Sequence, residues 1–378
     1  MFTGGDFGYL SDYLLWCLLF ASLVGHTWCF FRFPSRRRLP KLRLLMGNGL
    51  VFLCMLALIA LIGESYFRFV CVETDSFGMS LPAQRWFALH VHLNALGCRD
   101  KEWTLEPRVE QESRQGGING THRIAFVGDS FTYGWGIERV EDRFPDWIQA
   151  KFNETPAALR SQDPNRIREE SAPSPVEVMN VAKPGWGTGD QLQPITDMID
   201  VYGADEIVLC YVPNDIEKLL PRSTAFDPIR PPELRLINPT TSCLVDNLFY
   251  RLVVPRIGTV RHYHDWLAEG FADIEAWRAH QQQLYAIIKK CREHGVVLRA
   301  VLLPYLRIGG DKYQPEPLHA TLHGFFQAKG VPVVDLLPVI SGHDPNELVV
   351  NAHDAHPNEK ANELFADAIW EAFYADGE

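Results

Sequence analysis

Arg123-Ile-Ala-Phe-Val-Gly-Asp-Ser-Phe-Thr132 is the stretch that decides how this chain folds. Its first half is an apolar run of strand length, and Gly128-Asp-Ser ends the run with turn chemistry. A serine at that point presents its hydroxyl at the carboxyl edge of a sheet, where open α/β folds place their ligands and reactions. The same residues also suit a plain turn in which Asp129 and Ser130 serve as caps, so the surrounding chain has to discriminate.

Working outward, strand-like runs at 123–127, 176–181, 206–212, 296–303 and 331–336 alternate with helical patterns at 142–152, 190–201, 273–294, 318–329 and 358–373. That alternation predicts a parallel sheet covered by helices on both faces. Residues 216–271 do not fit the repeat. They hold Pro221, Pro228, Pro231, Pro232, Pro239 and Pro255, which predicts an insertion over the carboxyl end of the third strand, either shaping a substrate site or acting as a structural flap.

Three further segments stand after strand-like runs or near the carboxyl end. They are Asn180-Val-Ala-Lys-Pro-Gly185, Tyr211-Val-Pro-Asn-Asp215 and His353-Asp-Ala-His-Pro-Asn358. With Gly128-Asp-Ser-Phe-Thr132 they resemble, in order and spacing, the four blocks of the SGNH, or GDSL-type, hydrolase family. The resemblance spans 123 to about 374 and is silent on residues 1–120. It implies a three-layer α/β/α, flavodoxin-like fold and a serine hydrolase acting on ester bonds. It also implies Ser130 as nucleophile, His356 as base, and an oxyanion hole formed by the backbone N–H groups of Ser130 and Gly185 with the side-chain amide of Asn214. No metal or organic cofactor is implied. The chain lacks the Gly-x-Ser-x-Gly elbow of α/β-hydrolases, which argues against that other fold.

Two positions depart from the family pattern. Val212 stands where the third block usually has glycine, and His353 stands where the last block usually has aspartate. Asp354, two residues before His356, is the alternative acid. The arrangements left open are a triad through Asp354, a triad through His353, and a Ser130–His356 dyad. Asp129 and Asp215 are accounted for as caps and turn residues. Trp135 and Trp186 either wall an acyl or sugar pocket or pack as ordinary half-buried aromatics. His90/His92 and His262/His264 have no acidic or cysteine partners at metal-site spacing.

Residues 14–31 and 44–62 are nearly continuous apolar runs without the polar stripe of a buried soluble helix, and each is long enough to cross a bilayer. Between them, Arg32-Phe-Pro-Ser-Arg-Arg-Arg-Leu-Pro-Lys-Leu-Arg43 carries six positive charges. The positive-inside rule puts that loop in the cytoplasm and both chain ends outside. The expected organisation is a two-span anchor over 1–63, a stalk and lead-in over 64–121 closed by the turn-rich Gln115-Gly-Gly-Ile-Asn-Gly120, and a hydrolase-like domain over 122–378. The expected location is a multi-pass membrane protein with its catalytic domain extracytoplasmic.

Charge divides the same way. The first 63 residues carry six basic and two acidic side chains, +4, which leaves −15 for the remainder of a chain whose net charge is −11. So acidic a body has no surface for neutralising phosphates, which excludes nucleic acid as an expected partner. The eight cysteines show no metal or redox spacing. The reading that results is an esterase passing an acyl group to water, on an acylated glycan, a lipid or a small acyl ester. Its rivals are an O-acyltransferase acting on envelope or exported polysaccharide with the same residues, and a non-catalytic envelope scaffold whose site has decayed.

Overall fold

The computed structural model describes residues 5–33, 40–105, 121–154, 175–220, 242–308 and 314–375. Half of the basic loop, the Gln115–Gly120 boundary and all the insertion's prolines except Pro255 lie outside these residues. The chain divides into two compact units, one of residues 1–74, 78–89 and 229–257, the other of 75–77, 90–228 and 258–378.

In the larger unit five parallel strands form one sheet in the order β2-β1-β3-β4-β5. They are β1 (His122–Gly128), β2 (Val176–Ala182), β3 (Glu206–Tyr211), β4 (Val297–Leu302) and β5 (Val333–Asp335). This is the flavodoxin-like order, and its direction reverses beside β1, so the crevice where such sheets bind ligands opens at the carboxyl ends of β1 and β3.

Period-two alternation sends the strands' apolar side chains to two separate cores. Ala125, Val127, Ile207, Leu209 and Tyr211 face one core, packed by Ile195, Met198, Leu284, Ile287, Leu322 and Phe326. Ile124, Phe126, Val208 and Cys210 face the other, packed by Phe144, Ile148, Phe365 and Ile369. The helices concerned are Thr188–Asp200, Ile274–Glu293 and Pro315–Ala328 on the first face, and Phe144–Glu154 and Glu359–Phe373 on the second. The three-layer α/β/α architecture expected from the sequence is thus present. A separate antiparallel hairpin, β6 (Val349–Asn351) with β7 (Asp354–Pro357), was not legible as strand in the sequence.

The last described part of the expected stalk and lead-in packs with the larger unit. Cys98 and Trp103 belong to the first core. Buried Arg99 donates to the carbonyls of Gly134 at 2.8 Å, Ile137 at 2.7 Å and Glu138 at 3.0 Å, pinning the loop after the serine. The insertion also splits. Trp266 and Leu267 pack on Ile216 and Leu220 beyond β3, whereas residues 242–257 belong to the smaller unit.

That smaller unit is built on two long helices, α1 (Gly5–Arg32) and α2 (Pro40–Phe69). They run antiparallel, tied by Tyr13 Oη to Ser65 Oγ at 2.7 Å and Thr27 Oγ1 to Cys54 Sγ at 3.2 Å. Both are long and apolar enough to cross a membrane, and their apolar side chains are largely exposed.

Candidate active site

Gly128 is where β1 becomes a turn. A Cβ there would stand 2.2 Å from Thr132 Oγ1 and 3.0 Å from the Cys210 carbonyl oxygen, so only glycine lets the chain bend beneath β3. Asp129 Oδ1 then accepts the Phe131 N–H at 2.9 Å and starts the short helix Ser130–Tyr133. Ser130 Oγ lies 2.9 Å from His356 Nε2. On the far side of the ring, His356 Nδ1 lies 2.6 Å from Asp354 Oδ1.

Strand geometry explains how an acid two residues before the histidine can reach it. Side chains at i and i+2 share one face of a strand, and Asp354 and His356 both lie on β7, which puts carboxylate and imidazole side by side. The same Oδ1 accepts the His356 backbone N–H at 3.1 Å. Asp354 is fully buried, so its charge acts in low dielectric. His353 serves the hairpin through its backbone. Its N–H donates to Asn351 Oδ1 at 2.7 Å and its carbonyl accepts the Ser76 N–H at 3.1 Å.

The remaining site residues follow adjacent strands. Gly185 comes three residues after β2, with φ of 75°, a left-handed conformation that favours glycine. The Lys183 N–H meets the Gly128 carbonyl at 3.4 Å, joining the ends of β2 and β1. Asn214 lies in the turn of helix Pro213–Leu219 after β3, and its Nδ2 donates to Asp129 Oδ2 at 3.1 Å. Val212 is extended, with φ of −114° and ψ of 146°, and its side chain is buried in the second core. Nothing in that backbone calls for glycine, so the departure from the usual motif leaves Asn214 in place.

Residues 126–364, well over half of the chain, match the sequence model of the GDSL-like lipase/acylhydrolase family. The chain belongs to that family. Among solved structures, this GDSL-type hydrolase is similar to the lipase Lip_vut3 from a goat rumen metagenome, at 17% identity over 68% of this chain and 100% of that one, TM-score 0.39. A G-D-S-L family lipolytic protein from Veillonella parvula is 14% identical over 68% and 100%, TM-score 0.39. The psychrotrophic esterase EstA from Pseudoalteromonas sp. is 12% identical over 66% and 96%, TM-score 0.37. No curated protein matches the sequence.

Several groups around the hydrolase's site were not anticipated in these positions. Trp135 stacks on the His356 ring, with centroids 5.2 Å apart and planes at 26°, and Phe131 packs against it at 5.3 Å. The Trp135 indole donates to the Asp75 carbonyl at 3.1 Å, so this tryptophan braces the histidine. Ser76 Oγ accepts the Ala355 N–H at 3.0 Å. Ser76 lies some 280 positions before the hairpin it holds and Asp75 60 before the tryptophan it binds, both in the expected stalk and lead-in, and no sequence signal marks them. Trp186 is half-buried against the first core, with Lys183 Nζ 5.4 Å from its ring centre.

The two acids read as caps do more than cap. Asp129 is fully buried and divides its carboxylate between the Phe131 N–H and the Asn214 amide. Asp215, equally enclosed, accepts from Gln191 Nε2 at 3.1 Å through Oδ2, while Oδ1 has no partner among the described residues. Burial raises the pKa of Asp129, and burial together with the Asp129 charge raises that of Asp215 well above the usual carboxylate range. Of the two, Asp215 is pushed the further, and the Asp129 carboxylate is the one that holds Asn214.

Among the described residues no group of three or more His, Cys, Asp or Glu side chains is placed to hold a metal ion. His262 lies 3.2 Å from Asp265, and the His264 ring packs edge-on against Tyr305 at 4.5 Å.

Proposed function

We propose that this hydrolase is a membrane-anchored serine esterase that works outside the cytoplasm and cleaves an acyl ester through an acyl-serine. The observation that carries the reading is the continuous line from Ser130 Oγ through the His356 imidazole to the buried Asp354 carboxylate. Ser130 Oγ attacks the ester carbonyl carbon while His356 Nε2 takes its proton, and the Asp354 charge stabilises the imidazolium. The tetrahedral oxyanion is received by the N–H groups of Ser130 and Gly185 and by Asn214, whose amide gives one hydrogen to Asp129 and keeps the other. Collapse expels the alkoxide, which takes the proton from His356. Water, deprotonated by the same nitrogen, then attacks the acyl-serine, and the acid leaves with Ser130 restored. Each step uses groups of the chain itself and needs no metal or organic cofactor.

Anchoring rests on the two exposed apolar helices and the basic loop between them. Residues 1–63 form the anchor in this reading, and the larger unit meets its substrate in the extracytoplasmic space. Such a place suits an acylated envelope glycan first, then a lipid, then a small acyl ester. The acidic body argues against a nucleic-acid partner.

A fluorophosphonate probe on the detergent-solubilised chain tests the chemistry. Labelling at Ser130 that disappears, with ester hydrolysis, in Ser130→Ala is expected; a variant that still hydrolyses esters ends the serine-esterase reading. Cysteine accessibility tests the topology, with position 38 expected inside and position 115 outside. An inside result at 115 removes the envelope substrates.

A further inference from the structure

Residues 242–257 are built inside out for a segment in water. Asp246 and Asn247 face inward at 7% and 5% exposure, whereas Val245, Leu248, Leu252 and Val253 stand 43%, 45%, 52% and 44% exposed. The exposed set falls at i, i+3 and i+7 with one neighbour, a single stripe along Cys243–Leu248 and the helical turns that continue it to Val253. A water-facing helix carries the opposite pattern.

The segment's depth follows from what holds it. Glu64, buried in the last turns of α2, accepts Ser242 Oγ at 2.6 Å, the Cys243 N–H at 3.1 Å and the Leu244 N–H at 2.9 Å. Its remaining partner is Arg68, one helical turn on, at 2.7 Å. Leu244 fits over Gly63, where a Cβ would stand 3.1 Å from its Cδ1. The apolar run 44–62 is about 28 Å long as a helix, the thickness of the hydrocarbon layer. Glu64 comes two residues past its end, and so does everything fastened to it. Tyr13, Tyr66 and Phe69 gather at the same end of the helix pair, an aromatic grouping of the kind found at membrane interfaces.

We infer that residues 242–257 form a foot lying in the outer face of the bilayer, with Val245, Leu248, Leu252 and Val253 among the acyl chains. The occupant of this apolar stripe is lipid, because the segment is fastened to α2 at the depth where hydrocarbon gives way to headgroups. Arg251, which pairs with Glu73 at 2.5 Å and sits 5.7 Å from the Phe67 ring centre, and exposed Arg256 lie within the segment, where cationic side chains meet headgroup phosphates. Taking four aliphatic side chains out of water favours the lipid side for a segment already tethered there. The inference rests on the anchoring proposed above and adds a second, in-plane contact to it.

The full chain, reconstituted into phosphatidylcholine/phosphatidylglycerol vesicles, carries a benzophenone amino acid in place of Leu252, of Ile59 within α2, or of Glu275 on the larger unit. Protein–lipid adducts at 252 and 59 but not at 275 are expected by mass spectrometry. Adducts at 59 without any at 252 overturn the foot and leave the anchor standing. Adducts at neither position overturn both. A cross-link at 252 joining two copies of the chain assigns the stripe to a dimer and overturns the lipid contact. Leu248→Glu with Leu252→Glu, an exposed pair, should lower lipid adduct formation from a benzophenone at Val245 at least fivefold with adducts at 59 unchanged; an unchanged yield at 245 overturns the inference as well.

Discussion

Replacing Asp354 by asparagine keeps the shape of the side chain while removing one buried charge. In the acylation proposed above, His356 becomes an imidazolium whose Nδ1 lies 2.6 Å from that carboxylate. Taking the charge centres about 4 Å apart and an effective dielectric of 20, the pair is worth about 4 kcal/mol, or roughly a thousandfold in rate. The amide has a second effect. Rotated to present its NH₂ to Nδ1, it fixes the tautomer that carries its proton on Nε2, which cannot accept the Ser130 proton; the same exchange at the catalytic aspartate of a chymotrypsin-type protease costs about 10⁴ in turnover. Turnover of a short p-nitrophenyl ester by Asp354→Asn should therefore fall at least about 10²-fold, and near 10³-fold on the charge term alone, with the thermal transition little moved. His353→Gln should cost less than about tenfold, since the hairpin uses that residue's backbone N–H and carbonyl. A larger loss for His353→Gln than for Asp354→Asn would show that the geometry at β7 has been misjudged, and two small losses would mean a Ser130–His356 dyad.

Asn214→Ala should reduce kcat by about 10²–10³ with little change in KM, because an oxyanion donor acts on the developing charge; a change confined to KM would make Asn214 a binding residue. Burial lowers the His280 pKa from 6.5 to about 4, so the fold holds this ring neutral against Tyr211 Oη at 2.9 Å. That contribution is complete above the unfolded value and is lost as pH falls from about 6.5 to about 4, so His280→Gln should flatten the urea midpoint across this window; an unchanged slope would count against it. Asp215 behaves oppositely, since its folded pKa is raised: its contribution is complete below the ordinary carboxylate value and is lost as pH rises through the folded one. Asp215→Asn should accordingly gain stability over the parent on going from pH 4 to pH 7.5, and a gap that does not widen with pH would refute a protonated Asp215.

Local chemistry was enough to read much of this protein from its sequence. Strand β1 and the turn at Gly128 came from an apolar run broken by turn residues, and the five strands alternating with helices came from their periods of 2 and 3.6, because both signals act between neighbours in the chain. The four blocks around Ser130, Gly185, Asn214 and His356 were recognisable because each is short and lies at a strand end or a turn. What only the tertiary structure decided depends on contacts between distant residues. Whether Asp354 reaches His356 turned on β7 being a strand, and β7 exists only by pairing with β6. Asp75 and Ser76 looked like stalk because the carbonyl and N–H groups they bind belong to Trp135, His353 and Ala355. Asp246 and Asn247 point inward while Leu248 and Leu252 point outward because Glu64, nearly two hundred positions earlier, fixes the start of their helix. No window of sequence contains both ends of such a bond.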